Sequence, residues 1–269
     1  MSINLIINKF KHFIFKKIFK YNRYNFPEYI PNSAGSFRTI EELLKINIQN
    51  FSESVLNVFE QFDESKILDI DYFQIDTKLE NQIKLEFEKN KSDKVDHGYH
   101  IIYSYIFSNL TISSASNLLE IGIGSNNKMI PSHMKKNYLP GASLVSYSNL
   151  YPNLNIYGGD IDTDIFIDKK NIVCLYIDQN DLSSFNNEII KSVNFDIIID
   201  DGLHMQSANL NTLSFALQNL KSGGFFLIED IPSSAIKIWK AFYIFFKKMD
   251  YEIYLIKAYD NFAVLIKNK

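Results

Sequence analysis

The sequence predicts an α/β fold, a mostly parallel seven-stranded sheet closed by an antiparallel C-terminal hairpin and preceded by a helical N-terminal extension. Three features point to that class. From Asn117 onward, short apolar runs alternate with helical stretches, as in a parallel sheet covered on both faces. The chain closes with two apolar runs, Tyr251–Lys257 and Phe262–Lys267, bracketing Asp260-Asn261, which reads as a hairpin. Before Asn117 the apolar residues recur at helical spacing instead. At 269 residues and 46% hydrophobic content the chain can bury a sizeable core. The simplest division is a helical extension or cap over residues 1–110 and a sheet domain over 111–269.

The N-terminus is the one local charge anomaly, with Lys9, Lys11, Lys16, Lys17, Lys20 and Arg23 and no acidic residue before Glu28. Ile3, Ile7, Phe10, Ile14 and Ile18 recur as an amphipathic helix requires, and the interspersed lysines exclude a bilayer span. Residues 3–23 suit either peripheral contact with an anionic inner membrane surface or packing against the rest of the chain or a second copy in a homo-oligomer. No secretory signal pattern is present. Residues 25–35, with two prolines and a glycine, mark a connection. Helical candidates follow at Thr39–Phe62, Leu79–Phe87 and His100–Leu110. The single cysteine, Cys174, excludes an internal disulfide and suits the cytoplasm; its apolar run makes it a strand residue rather than a nucleophile. A net charge of −3 with no basic cluster beyond the N-terminus argues against nucleic acid as a partner.

The predicted strands are Asn117–Ile123, Asn155–Asp160, Ile172–Ile177, Phe195–Asp200 and Gly223–Glu229, then the two hairpin runs, with helices at Ser207–Leu220 and Ser233–Lys248. The first ends in Glu120-Ile-Gly-Ile-Gly124, where Gly122 and Gly124 allow a sharp turn and close backbone approach to a ligand. Asn127 stands where a dinucleotide fingerprint would place its third glycine, so the pyrophosphate-gripping version is incomplete. The second ends in Tyr157-Gly-Gly-Asp160, which sets Asp160 where a carboxylate meets ribose hydroxyls; helix capping is the competing role for Asp160 and Asp162. The third leads into Asp178 and Gln179, suited to an adenine edge. Three successive strand ends thus suit an adenosyl group.

The most informative segment is Phe195-Asp-Ile-Ile-Ile-Asp-Asp-Gly-Leu-His204. Adjacent strand residues point oppositely, so Asp200 and Asp201 can divide their roles between cofactor and substrate. His204, three residues beyond Asp201, can face the same pocket, and a neutral imidazole accepts a proton near neutral pH. The fifth strand brings Glu229 and Asp230 to the same sheet edge. Asp201, Glu229 and Asp230 together suit a hard divalent cation such as Mg²⁺ or Mn²⁺, provided the strand ends between Glu229 and Asp230; capping of the helix after Pro232 is the competing role.

Residues 93–232 resemble the sugar O-methyltransferases of the macrocin and mycinamicin type and their relatives in surface-polysaccharide (capsule) gene clusters. The matching pieces are Ser92-Asp-Lys94, His97-Gly-Tyr99, Leu119-Glu-Ile-Gly-Ile-Gly124, Pro140-Gly-Ala-Ser-Leu144, Ile156-Tyr-Gly-Gly-Asp-Ile-Asp162, Asp178-Gln179, Ile199-Asp-Asp-Gly-Leu-His204 and Ile228-Glu-Asp230. The resemblance implies a Rossmann-like class I methyltransferase domain, whose terminal hairpin sets it apart from typical dehydrogenases. It implies S-adenosylmethionine on Glu120, Gly122, Gly124, Asp160, Asp178, Gln179 and Asp200, a Mg²⁺ on Asp201, Glu229 and Asp230, and His204 as general base. The implied acceptor is a small molecule, a sugar hydroxyl of a nucleotide-sugar or surface-glycan precursor. Methylation of a phosphoryl or phosphoramidate group on a nucleotide-linked precursor is the alternative within the enzyme class. A non-catalytic subunit with a cofactor-binding fold is the alternative outside it.

Overall fold

The structure, a computed structural model, describes residues 52–134 and 137–269. The amphipathic segment over 3–23, the connection over 25–35 and the start of the helical candidate at Thr39 lie outside the described residues; residues 52–60, near that candidate's end, are helical. Val58–Lys269 form one compact unit. No helix among the described residues is long and apolar enough to cross a membrane.

All seven predicted strands are present. β2 (Asn117–Ile121) lies between β3 (Asn155–Asp160) and β5 (Phe195–Asp200), parallel to both. β4 (Ile172–Tyr176) continues the sheet beyond β3, and β6 (Leu220–Ile231) beyond β5, again in parallel. β7 (Tyr251–Lys257) and β8 (Phe262–Asn268) form the antiparallel hairpin, with β8 antiparallel to β6. An eighth strand, β1 (Ile67–Asp69), pairs in parallel with β7, giving the order β1-β7-β8-β6-β5-β2-β3-β4. Three residues are too few to show a period, so only the free edge of β7 reveals β1 as a strand. The chain runs outward through β3 and β4 and then returns to place β5 on the other side of β2. The carboxyl ends of β2 and β5 therefore flank the switch point where open parallel sheets bind ligands.

Both faces of the sheet are covered. On one face lie α1 (Thr77–Lys89), α2 (Tyr99–Ser108) and α3 (Ala142–Leu150). α1 is started by Asp76, whose carboxylate accepts from the backbone N–H groups of Lys78 and Leu79. Phe87, Tyr103 and Tyr147 from these helices pack on Leu118, Ile197, Ile199, Phe225 and Leu227. The alternate residues Leu119, Ile121, Ile198, Phe226 and Ile228 point to the other face. They meet Leu213 and Phe215 of α4 (Gln206–Asn219) and Trp239 of α5 (Ile236–Phe246). Burying apolar area on both faces is the main favourable term holding this three-layer arrangement. Cys174 sits on β4, half-buried, its sulfur accepting from the backbone N–H of Ile167.

The predicted end of β6 differs in one functional detail. The strand does not stop between Glu229 and Asp230; it runs to Ile231 through a bulge, since Ile228 pairs with Val264 and Ile231 with Phe262. Two residues on β6 thus face one on β8, and Asp230 takes up a left-handed φ of 51°. The bulge, rather than a strand end, re-aims the two carboxylates. Neither caps the next turn, whose N-cap is Pro232 without a side-chain bond.

Candidate active site

The end of β2 is stitched by backbone to β5 on one side and to β3 on the other. Asp201 N–H donates to Ile121 O at 2.8 Å, and Gly122 N–H donates to Gly159 O at 2.8 Å. Gly122 has φ 83°, and a Cβ there would run into the Asp201 and Gly202 backbone, so only glycine lets these loops approach this closely. Asp160 braces the same turn. Its Oδ2 accepts from Ile123 N–H and its Oδ1 from Asp162 N–H, both at 2.9 Å, and burial raises its pKa. Asp162 accepts from Ser125 Oγ and caps the turn Thr163–Ile165.

Beside this turn lies a cavity of about 390 Å³, bordered by Gly122, Gly124, Asp160, Asp178, Gln179 and Asp201. Five of the seven predicted cofactor residues line it. Asp178 is half-buried there and accepts from Asn180 N–H. Gln179 lines the wall with its amide engaged at both ends. Its Nε2 donates to Asp200 Oδ1 at 2.8 Å and Thr212 Oγ1 at 2.9 Å, and its Oε1 accepts from Leu203 N–H at 2.7 Å. Asp200 is fully buried and also accepts from Asn209 Nδ2, so it stands behind the wall and holds the loop that carries His204.

A second cavity, of about 540 Å³, shares Gly122, Gly124, Ser132 and Asp201 with the first and is bordered further by Asp93, His97, Glu120, His204 and Asp230. Asp201, His204 and Asp230 each bring one ligand atom here, all within 4.8 Å of one another. His204 reaches this place through a left-handed φ of 56°. Burial lowers its pKa against the pull of Asp230 and Asp200, and its Nδ1 has no hydrogen-bond partner. Asp230 is fixed by Tyr99, whose hydroxyl donates to Asp230 Oδ1 at 2.9 Å and accepts from Asp230 N–H at 2.8 Å, while Asn261 Nδ2 adds a contact at 3.2 Å. Burial pushes the Asp230 carboxyl upward, but His204, His97 and these donors outweigh it and hold it below the ordinary carboxylate range.

Glu229 does not join that trio. Its Oε2 lies 2.6 Å from Lys94 Nζ, and its Oε1 accepts from the Tyr103 hydroxyl. Lys94 also reaches Asp201 Oδ2 at 2.5 Å and Glu120 Oε1 at 3.2 Å, so one buried ammonium serves three carboxylates. Burial alone would drive this ammonium toward neutrality; Asp201, Glu229 and Glu120 outweigh it and raise its pKa. Burial in turn pushes Glu229 up to about 7 and raises Glu120 and Asp201, each against the opposing pull of Lys94. Glu120, expected beside the cofactor, therefore forms the floor of the second cavity with Lys94.

Lys94 is a site residue to which the sequence assigns no role; Tyr103, which the chain's aromatic content places in the core, and Tyr99, a candidate for the border of the acceptor pocket, are both buried and hold Glu229 and Asp230. Lys94 lies 107 and 135 positions from Asp201 and Glu229, and no local pattern announces the pairing. The available signal was a lysine within Ser92-Asp-Lys94, a segment otherwise noted only for its resemblance.

No family model matches the chain. Part of it is similar to the mycinamicin VI 2''-O-methyltransferase of Micromonospora griseorubida, with 30% identity over 114 residues, 42% of this chain and 27% of that protein. It is likewise similar to the L-olivosyl-oleandolide 3-O-methyltransferase of Streptomyces antibioticus, with 30% identity over 125 residues, 45% of this chain and 29% of that one. Among solved structures, it is similar to the MycE methyltransferase from the mycinamycin biosynthetic pathway, solved with Mg, SAH and mycinamycin VI. The TM-score is 0.56 at 20% identity, over 70% of this chain and 53% of that one. The match thus spans less than a third of each curated relative and about half of the solved chain. The structural likeness establishes the fold, a Rossmann-like class I methyltransferase architecture with a mostly parallel sheet and an antiparallel terminal hairpin.

Proposed function

We propose that this chain is an S-adenosylmethionine-dependent, divalent-metal-assisted O-methyltransferase acting on a sugar hydroxyl of a nucleotide-sugar or surface-glycan precursor. The observation that carries the reading is the meeting of two cavities at Gly122 and Asp201, with Asp201, His204 and Asp230 gathered on the acceptor side of that junction. The similarity to sugar O-methyltransferases supports the same choice.

The residues present fit both groups. The glycine turn, with no room for a Cβ at Gly122, leaves backbone open to a cofactor alongside Asp160 and Asp178. Asp201 and Asp230 offer oxygens suited to a hard cation, with Glu229 one layer behind them. When bound, S-adenosylmethionine supplies an electrophilic methyl group and the cation a positive charge beside the acceptor oxygen. His204 receives the proton of the acceptor hydroxyl. Its lowered pKa keeps the imidazole neutral near pH 7, so the ring carries the lone pair that a general base needs. Asp230 beside it stabilises the imidazolium that forms. Residues 111–269 supply the cofactor cleft, and Asp93, Lys94 and His97, from before that boundary, complete the acceptor wall.

The test is a mass-spectrometric screen of nucleotide-sugars, glycan precursors and nucleotide-linked phosphoramidates with S-adenosylmethionine, with and without Mg²⁺ or Mn²⁺. The expected result is a metal-dependent gain of one methylene on a sugar hydroxyl. A gain on a phosphoryl oxygen, or one indifferent to chelation, would overturn the reading.

A further inference from the structure

We propose that Lys94 is the resident counter-cation of the candidate metal site, holding Asp201 and Glu229 in place before a divalent ion arrives and competing with that ion for their oxygens. The inference rests on the metal-assisted reading above. Lys94 Nζ lies 2.5 Å from Asp201 Oδ2, 2.6 Å from Glu229 Oε2 and 3.2 Å from Glu120 Oε1. Lys94 is 3% exposed, while Glu120 and Glu229 are completely buried. Two completely buried carboxylates beside the partly buried Asp201 would repel one another without a cation, and the ammonium is the cation the chain itself provides.

Two further features make this a metal-linked role and not only a packing one. Asp201 belongs to both clusters, since it pairs with Lys94 and also contributes to the trio with His204 and Asp230. An ion drawn to that trio must share Asp201 with the ammonium. Lys94 is also placed by short-range backbone structure, within the turn Asp93–Val95 that joins α1 to α2 and is capped by Ser92 Oγ. Its stem is thus held at one end while its charged head meets only carboxylates. In the metal-bound state the ammonium yields one or both of Asp201 and Glu229 and keeps Glu120, so Lys94 is a positioning residue that sets how tightly the divalent ion is held.

The experiment measures Mn²⁺ binding by electron paramagnetic resonance and calorimetry in the full chain and in Lys94→Met, which keeps length and removes charge. The expected outcome is Mn²⁺ affinity higher by roughly tenfold or more in the variant, because the positive charge that competes for Asp201 and Glu229 is gone. Its melting temperature should fall without Mn²⁺ and recover at saturation. Unchanged or weaker Mn²⁺ binding in a folded Lys94→Met protein would overturn the proposal. Should that variant fail to fold, the wild-type chain labelled with ¹⁵N-lysine answers the question. A buried ammonium resonance that shifts on Mg²⁺ titration supports displacement, and one that stays put refutes it. If neither Mg²⁺ nor Mn²⁺ binds the wild-type chain, the metal-assisted reading itself fails. If the ion binds but Lys94→Met is no tighter, only the role of Lys94 fails.

Discussion

Tyr99→Phe removes one oxygen from a side chain that is 1% exposed, and the structure allows its effect to be worked out. That oxygen accepts from Asp230 N–H at 2.8 Å and donates to Asp230 Oδ1 at 2.9 Å. Burial and the nearby carboxylates raise the phenol pKa, so it remains a donor throughout the working pH range. Its loss leaves the Asp230 N–H in the bulge without its partner, at about 1–3 kcal/mol. It also removes a bond to a charged acceptor, and Asn261 at 3.2 Å replaces only part of that. Together these predict a destabilisation of about 2–4 kcal/mol, since the left-handed backbone of Asp230 has no other lock of comparable quality.

For a unit of this size the corresponding fall in melting temperature is roughly 5–15 °C. Urea denaturation of wild type and variant at pH 7.5 measures the free-energy difference, and Mn²⁺ titration of the same samples reports whether Asp230 has lost its aim. Weaker Mn²⁺ binding should accompany the stability loss. A change below about 0.5 kcal/mol, the range of an inert surface substitution, would refute the idea that this hydroxyl closes the bulge.

Three other perturbations have defined outcomes. His204→Ala should abolish methyl transfer while calorimetry shows S-adenosylmethionine affinity nearly intact; retained turnover removes His204 as the base. Gly122→Ala forces a Cβ into the Asp201 and Gly202 backbone at φ 83°, and should weaken S-adenosylmethionine binding by at least roughly tenfold; binding at wild-type strength would mean the turn does not cradle the cofactor. His100, buried beside Glu80 at 3.9 Å, has its pKa lowered to about 4 by burial and by Lys84. The unfolded chain binds that proton at higher pH than the folded one, so stability is intact above about 6.5 and falls as pH drops toward 4. The loss should reach about 2 kcal/mol between pH 7 and 5, and His100→Gln should remove that part of the slope; an identical slope in the variant would place the titration elsewhere.

The fold was legible where burial imposes period and length. The runs at Asn117 and Phe195 lie inside the sheet, buried on two sides, and so are mostly apolar, whereas the edge run at Ile172 leaves Val173 and Tyr176 exposed. β1 was invisible because its three residues become a strand only by pairing with β7. Asp201 and His204 were legible as a pair because four residues of loop keep them near one another whatever the details. Gln179 was read as a cofactor contact from its place after a strand, which local sequence can supply. Its engagement with Asp200, Thr212 and Leu203 depends on three segments meeting, which local sequence cannot.

The same distinction explains the metal side of the site. Among the described non-glycine residues, Lys91, His204 and Asp230 have positive φ, and two of these three carry the proposed chemistry. Such conformations are disfavoured by about 1–2 kcal/mol each and persist only where surrounding contacts over-determine them. For Asp230 those contacts are Tyr99 and Asn261; for the loop leading to His204 they are Asp200, Gln179 and Asn209. A reading based on local preference therefore expects an ordinary strand end at Glu229–Asp230 and finds a bulge. The bulge is what separates the roles of two adjacent carboxylates, turning Glu229 inward to Lys94 and Asp230 outward to His204. If that separation is functional, exchanging the pair as Glu229→Asp with Asp230→Glu should preserve net charge and yet lose both Mn²⁺ binding and turnover, because neither side chain would then have the length its own partner requires.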